Sequence, residues 1–241
     1  RKQTILRSIQ SQDKLTPELA KQIEEADGIK RLEDLYLPCK PKKQTLALLA
    51  RERGLEPLAE AILAGLPHID LDALAVPRVN PEGGVASTEE AFAGAAHILA
   101  EKFSERADVR DRVRKIFRKT GSLVSAKADA DEKTSKGFRD YFEFSQPLGK
   151  LPPHRILAVN RGERAKALRV KIEADQEAIQ KAADELLLLE GHPHAEFLRD
   201  AIRDALARLI VPSLERETRR ELTEWAEQHA VDVFARNLRN L

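Results

Sequence analysis

The segment DVRDRVRKIFRKTGSLVSAKA, residues 108–128, decides the fold, because a helical pattern gives way there to a strand pattern. Four apolar side chains recur at positions i, i+4, i+7 and i+8, which places them along one side of a helix: Val109, Val113, Ile116 and Phe117. Gly121 ends this pattern, and residues 122–128 then alternate apolar and polar side chains as a half-buried strand does. The segment therefore predicts an amphipathic helix, capped by Asp108 and reaching Lys119, followed directly by a strand.

A second helix is indicated immediately before this one. Ser87 and Glu90 have the spacing of a capping box for a helix that reaches about Phe103. Two helices separated by a turn of about four residues match a helix-turn-helix in outline. The stretch PRVNPEGG, residues 77–84, contains two prolines and two glycines and marks a boundary ahead of this unit.

Helical signals also dominate both flanks of this unit. Thr16 followed by Pro17 is typical of a helix start, and a second strand is predicted only at residues 168–174. The expected fold is mainly α: a multihelical scaffold with a helix-turn-helix-like insertion and a small two-stranded β element. The predicted segments are 1–75 (scaffold, first part), 76–145 (basic helix-turn-helix-like unit) and 146–241 (scaffold, second part).

The composition narrows the class of protein. The 241 residues are 42% hydrophobic and 34% charged, with 41 Lys and Arg against 40 Asp and Glu, which argues against wholesale disorder. No apolar run reaches the 18 residues of a membrane span, and the single cysteine, Cys39, is typical of a reducing compartment. We therefore expect a cytoplasmic protein without a membrane partner. The lack of any methionine suggests a piece of a longer chain.

Positive charge is concentrated in the predicted helix. Residues 106–119 contain seven basic and two acidic side chains. Arg110, Arg114 and Arg118 are four residues apart and so share one helix face. Together with Lys115 and Lys119, this face is predicted to contact nucleic-acid phosphates without sequence specificity. The alternative is an ordinary solvated helix surface.

Two further basic segments are weaker candidates for phosphate contacts. Lys40, Lys42 and Lys43 lie in a proline-flanked loop, where exposed lysines are more often simply solvated. Residues 155–171 carry six basic groups against Glu163, but part of that segment is predicted to be a strand.

Signals for catalysis are weak. The sequence contains no glycine-rich phosphate loop, no GxSxG elbow and no HExxH motif. His192 and His194 do not complete a zinc set, and Cys39 lacks a recognisable nucleophile context. The aromatic cluster at residues 138–144 and Trp225 are interpreted as core or interdomain packing. We therefore expect no enzyme activity, no cofactor and no metal.

Several strings resemble the N-terminal half of the Tex family of bacterial transcription accessory proteins. They occur in the family's order and cover nearly the whole chain: LEDLYLPCKPKKQT (32–45), ARERGLEPLA (50–59), FRDYFEFSQPL (138–148), PPHRILAVNRG (152–162), PSLERE (212–217) and FARNLRNL (234–241). Cys39 departs from the pattern, since the family more often has an aromatic residue between these two prolines. The resemblance implies a helical scaffold with a helix-turn-helix-like unit, in a protein that binds nucleic acid mainly through domains outside this chain. It supplies no catalytic residue.

Two functions are thus expected from the sequence. The first is a non-enzymatic part of a transcription accessory protein, with secondary phosphate contacts from the basic helix. The second is a protein-interaction scaffold that positions other domains or docks on the transcription machinery, in which the acidic residues 176–241 would be the better surface.

Overall fold

The computed structural model describes residues 2–12, 14–39, 45–65, 70–129 and 135–239. The chain forms two compact units. The first contains residues 1–113 and 180–210, and the second contains residues 114–179 and 211–241. Residues 195–210 belong to the first unit because they pack against the helix Thr88–Ser104.

The regular secondary structure described in the first unit is helical, apart from one β-bridge between Asn80 and Val85. Its helices are α1 (Lys2–Gln10), α2 (Pro17–Glu25), α3 (Ile29–Tyr36), α4 (Leu46–Glu52), α5 (Glu56–Ala64), α6 (Leu71–Ala75), α7 (Thr88–Ser104) and α11 (Ala195–Asp204). Two more helices have residues in both units: α8 (Ala107–Thr120) and α10 (Gln176–Leu187). Short 3₁₀ turns follow α3 and α6, at Leu37–Cys39 and Val76–Arg78.

Helix α7 is the central element of this unit, since α4, α5 and α11 all pack against it. The close approach depends on Gly94, because a Cβ atom there would lie 2.3 Å from Leu55 Cδ1. A separate apolar cluster joins α1, α2 and α3 through Ile5, Ile23 and Leu32, each at most 3% exposed. The N-terminal helices are therefore held by their own small core.

The capping signals at Thr16 and Ser87 are confirmed. The Thr16 hydroxyl accepts a hydrogen bond from the Leu19 amide at the start of α2. The Ser87 hydroxyl likewise accepts from the Glu90 amide, and the Glu90 carboxylate accepts from the Ala86 amide at 2.7 Å. These caps satisfy amides that have no partner within the helix.

The second unit combines a small sheet with two helices. Its remaining elements are β1 (Ser122–Lys127), β2 (Glu143–Pro147), α9 (Pro153–Arg164), β3 (Leu168–Glu173) and α12 (Val211–Arg239), with 3₁₀ turns at Lys136–Tyr141 and Leu148–Lys150. The strand order is β2-β1-β3, and both pairings are antiparallel. Val124 pairs with Lys171 on one side and with Ser145 on the other.

The mainly α fold and both predicted strands are confirmed, with three differences of detail. The sheet has a third strand, β2, which the sequence analysis treated only as an aromatic cluster. Helix α8 begins at Ala107, so Asp108 lies in its first turn and is not its N-cap. Only Glu105 and Arg106 separate α7 from α8, a shorter connection than the predicted turn.

The helical path changes near Pro212. Residues Ala205–Ile210 form a π-helical turn, and α12 begins at Val211. Proline lacks the amide proton that a regular helix would use, so the hydrogen-bond pattern changes next to it.

Candidate nucleic-acid interface

Helix α8 has three distinct sides. Val109, Val113 and Phe117 are completely buried and Ile116 is half-buried, which confirms the predicted apolar stripe. The arginines at positions 110, 114 and 118 lie on the neighbouring side, and a third side carries exposed cations. The third side and the partly exposed Arg118 are the parts of this helix that a ligand can reach.

Arg110 does not face solvent. The residue is 5% exposed, and its Nε donates to Asp34 Oδ1 at 2.7 Å, from α8 to α3 within the first unit. A buried charge needs an opposite charge and hydrogen bonds to offset its lost hydration. Arg110 is therefore used to hold two helices together.

Arg114 is buried in the same way in the second unit. Its Nε and Nη2 donate to the two carboxylate oxygens of Glu217 in α12, at 2.9 and 3.3 Å. The prediction that Arg110 and Arg114 lie on an exposed phosphate-binding face is wrong, because carboxylates distant in sequence cover both side chains. Arg118 is 45% exposed, and its Nη2 donates to Glu221 at 2.8 Å.

The exposed side of α8 carries Arg112, Lys115 and Lys119. Their spacing of three and four residues places them on one helix face. At the start of the helix, Arg106 Nε donates to Asp108 Oδ1 at 3.0 Å, and this hydrogen bond holds the pKa of Asp108 below its ordinary value. The positive charge of Arg106 is thus partly neutralised by Asp108, while Lys115 and Lys119 are exposed residues of the same helix.

The other basic candidates are less well placed or lie elsewhere. Lys40, Lys42 and Lys43 are outside the described residues. The basic segment 155–171 is divided between α9, which carries Arg155, Arg161 and Arg164, and β3.

Cys39 packs in an apolar cluster, and His192 contacts backbone groups. Cys39 is 7% exposed and belongs to the apolar cluster of the N-terminal helices. His192 Nδ1 accepts from the His194 amide at 3.1 Å, while its Nε2 lies 3.2 Å from the Leu63 carbonyl oxygen. In the described part of the chain, no three His, Cys, Asp or Glu residues are grouped as metal ligands.

The aromatic residues near β2 pack within the second unit. Tyr141 and Phe144 make an edge-to-face contact at 5.4 Å between ring centroids, and Arg155 lies 5.7 Å from the Phe144 centroid. Trp225 is 50% exposed and so does not belong to a core. The packing interpretation holds for the Tyr141–Phe144 pair and fails for Trp225 as a core residue.

Residues 67–234 match the family model described as Tex central region-like. The chain belongs to this family. The match spans more than half of the chain and includes α8, the sheet and most of α12. The Tex resemblance drawn from short strings is therefore confirmed.

Relatives of this Tex-family chain are longer than it is. Protein tex of Bordetella pertussis is 42% identical over 251 residues, which cover 98% of this chain and 32% of that protein. Transcriptional accessory protein Tex of Neisseria gonorrhoeae is 37% identical over 250 residues, covering 100% and 32%. S1 RNA-binding domain-containing protein 1 of Homo sapiens is 30% identical over 250 residues, covering 98% and 25%. The chain thus spans about a third of the bacterial relatives' length.

None of the described helices combines the length and the hydropathy that a membrane span requires.

Proposed function

We propose that this chain is a non-enzymatic, cytoplasmic part of a nucleic-acid-associated transcription accessory protein, and that it adds nonspecific phosphate contacts through α8. Two relatives support the proposal by their names, a transcriptional accessory protein and an S1 RNA-binding domain-containing protein. The non-enzymatic role rests on the sequence, which contains none of the nucleotide-binding, serine-hydrolase or zinc-protease motifs considered above.

The observation that carries the phosphate contact is the exposure of Lys115, Arg118 and Lys119 in the last two turns of α8. All three belong to the second unit, which carries 20 Lys and Arg against 15 Asp and Glu. Such a surface attracts a polyanion by releasing its bound counterions, so the affinity falls steeply as salt is raised.

Fluorescence anisotropy of the 241-residue chain with labelled RNA and DNA, at about 50 and 200 mM salt, tests this contact. The triple variant Lys115→Gln/Arg118→Gln/Lys119→Gln removes the exposed cations. We expect the slope of log affinity against log salt to become shallower by about 2, since each single-strand phosphate contact contributes roughly 0.7. Equal slopes for parent and variant would refute a contact by α8.

A scaffold function is the second candidate, and the burial of Arg110 and Arg114 favours it. Their ion pairs tie α8 to α3 and to α12, each within one unit, so this helix organises its neighbours. In this function the chain positions other domains or docks on the transcription machinery. A pull-down from extract with the acidic surface of residues 176–241 reversed in charge tests it, and an unchanged set of captured transcription proteins would contradict it.

A further inference from the structure

A groove with arginines on both walls lies in the second unit between helices α9 and α12. We define the α9–α12 groove by five residues: Asn160, Arg161, Arg164, Arg216 and Arg220. They line two neighbouring cavities of about 390 and 430 Å³. Asn160 and Arg164 border both cavities, so the two lie side by side along the helices.

The walls of the groove are joined by side-chain hydrogen bonds. Asn160 Nδ2 on α9 donates to Thr223 Oγ1 on α12 at 2.8 Å. One turn further along, Arg219 Nη1 donates to Glu163 Oε1 at 2.8 Å, and its Nη2 donates to the other carboxylate oxygen. These bonds hold the helices at a set separation, so the groove is formed before any ligand arrives.

Arg219 thereby has a structural role, while three other arginines of the groove do not. Arg161, Arg164 and Arg216 are exposed and make no ion pair within the described residues. Long side chains without a fixed partner cost conformational entropy when a ligand orders them, but they lose no existing ion pair. They are the cations of the groove that an anion can engage.

The acidic groups beside the groove do not cancel this charge. Glu163 is engaged by Arg219, and Glu224 lies 3.6 Å from Arg220 in an exposed pair. Exposed pairs of this kind are weak and screened by salt. Glu227 is the remaining carboxylate. The residues that line the two cavities thus include five arginines, with Arg219 added to the four that define the groove, against three glutamates.

The chemistry of the lining indicates phosphate as the group that binds. A guanidinium presents a planar set of donors that matches phosphate oxygens in pairs. Arginines on both walls, along a depression bordered by two helices, suit a chain of phosphates better than a single ion. Trp225 follows Arg216 by nine residues, which places it about 180° away around α12, so no base can stack on it from the groove.

We propose that the α9–α12 groove binds the phosphodiester backbone of a nucleic-acid strand through Arg161, Arg164 and Arg216. The inference rests on the proposed function, in that this chain meets nucleic acid, but it places a contact on a different surface from α8. Because the contact is to phosphates and not to bases, it tolerates any sequence and is strongly salt-dependent.

The test measures binding of a labelled single strand of about 20 nucleotides by anisotropy across a salt series, using the whole 241-residue chain. The groove variant is Arg161→Gln/Arg164→Gln/Arg216→Gln. We expect it to bind at least about tenfold more weakly at low salt, with a slope of log affinity against log salt shallower by about 2. Arginine-to-lysine replacement at the same positions should restore the slope, since the charges return.

The matched control removes three exposed arginines from the first unit, as Arg53→Gln/Arg199→Gln/Arg203→Gln. It changes the net charge by the same amount, so we expect its affinity and slope to stay within about twofold of the parent if the groove is the site. A control variant as weak as the groove variant would overturn the proposal, because the effect would then be one of net charge alone.

Binding can also be located without any substitution. The side-chain Nε–H signals of Arg161 and Arg164 in an NMR spectrum of the unmodified chain should shift when the oligonucleotide is added. Signals that stay in place while the anisotropy rises would overturn the groove as the site.

The α8 variant described above separates the two proposals. Weaker binding of the groove variant with an unaffected α8 variant supports the groove and refutes the α8 contact. The reverse result overturns the groove alone, and failure of the parent to bind at low salt overturns both. A polyglutamate peptide that competes as well as an oligonucleotide of equal charge would overturn nucleic acid as the ligand in favour of an acidic protein.

Discussion

The ion pair between Arg110 and Asp34 makes the sharpest prediction about this fold. Both residues are at most 5% exposed, and Nε and Oδ1 are 2.7 Å apart. At an effective dielectric constant of about 20, that separation corresponds to an attraction of roughly 6 kcal/mol. Removing two charges from water costs several kcal/mol for each, so the intact pair contributes little to the net free energy of unfolding.

Removing only one residue of the pair should destabilise the fold strongly. In Arg110→Met, Asp34 keeps its cost of burial and loses the attraction that offsets it. We expect the free energy of unfolding to fall by about 3–5 kcal/mol. The double variant Arg110→Met/Asp34→Leu leaves no buried charge, and we expect it to recover to within roughly 1 kcal/mol of the parent or better.

Urea unfolding followed by circular dichroism measures the loss, and hydrogen exchange in α3 and α8 shows whether it arises at these helices. Arg112→Met is the matched control, because Arg112 is an exposed arginine two residues away on the same helix. Its expected change is within about 0.5 kcal/mol. If Arg110→Met costs no more than this control, or if the double variant is less stable than either single variant, the structural role assigned to Arg110 is incorrect.

Three further predictions concern packing and pH. Phe117→Ala should lower the free energy of unfolding by about 3–5 kcal/mol because the ring is completely buried, and a loss below roughly 1 kcal/mol in urea unfolding would contradict that packing. Gly94→Ala should lower the free energy of unfolding by about 1–3 kcal/mol, because the new Cβ atom would collide with Leu55. This loss should outweigh the better helix propensity of alanine. A rise in melting temperature would contradict it, since the helices would then be able to move apart. A hydrogen bond from Arg208 holds the pKa of Asp204 below its ordinary value, so this carboxylate stabilises the fold at neutral pH and loses its contribution as the pH falls through the lowered pKa. For this partly exposed pair we expect Asp204→Asn to lower the free energy of unfolding by about 0.5 kcal/mol at neutral pH and to leave it unchanged in strong acid. If urea unfolding shows the same loss at both pH values, the pairing is refuted.

Much of the local structure could be predicted because its signals are local. The apolar stripe of α8, the caps at Thr16 and Ser87 and the strands near residues 122–128 and 168–174 all follow from side-chain spacing. Strand β2 was missed because its own residues carry no strand signal. In EFSQP only Phe144 is buried, and a proline is uncommon inside a strand. Its pairing with β1, which the short segment itself does not signal, is what orders it.

The candidate site was less predictable. The four-residue spacing of Arg110, Arg114 and Arg118 correctly indicates one shared helix face, but it says nothing about what covers that face. The carboxylates that do so, Asp34 and Glu217, lie 76 and 103 residues away in the chain. The basic segment at residues 155–171 likewise gave no hint of the arginines of α12 that lie opposite α9 in the groove.

The sequence by itself determined the helical class, the position of the helix-to-strand change and the family, because each depends on neighbouring residues or on their order along the chain. The tertiary structure alone decided which arginines are buried in ion pairs and which remain exposed to a ligand. The physical reason is that a side chain's charge is a property of one residue, whereas its hydration and its partner depend on which distant segment packs against it.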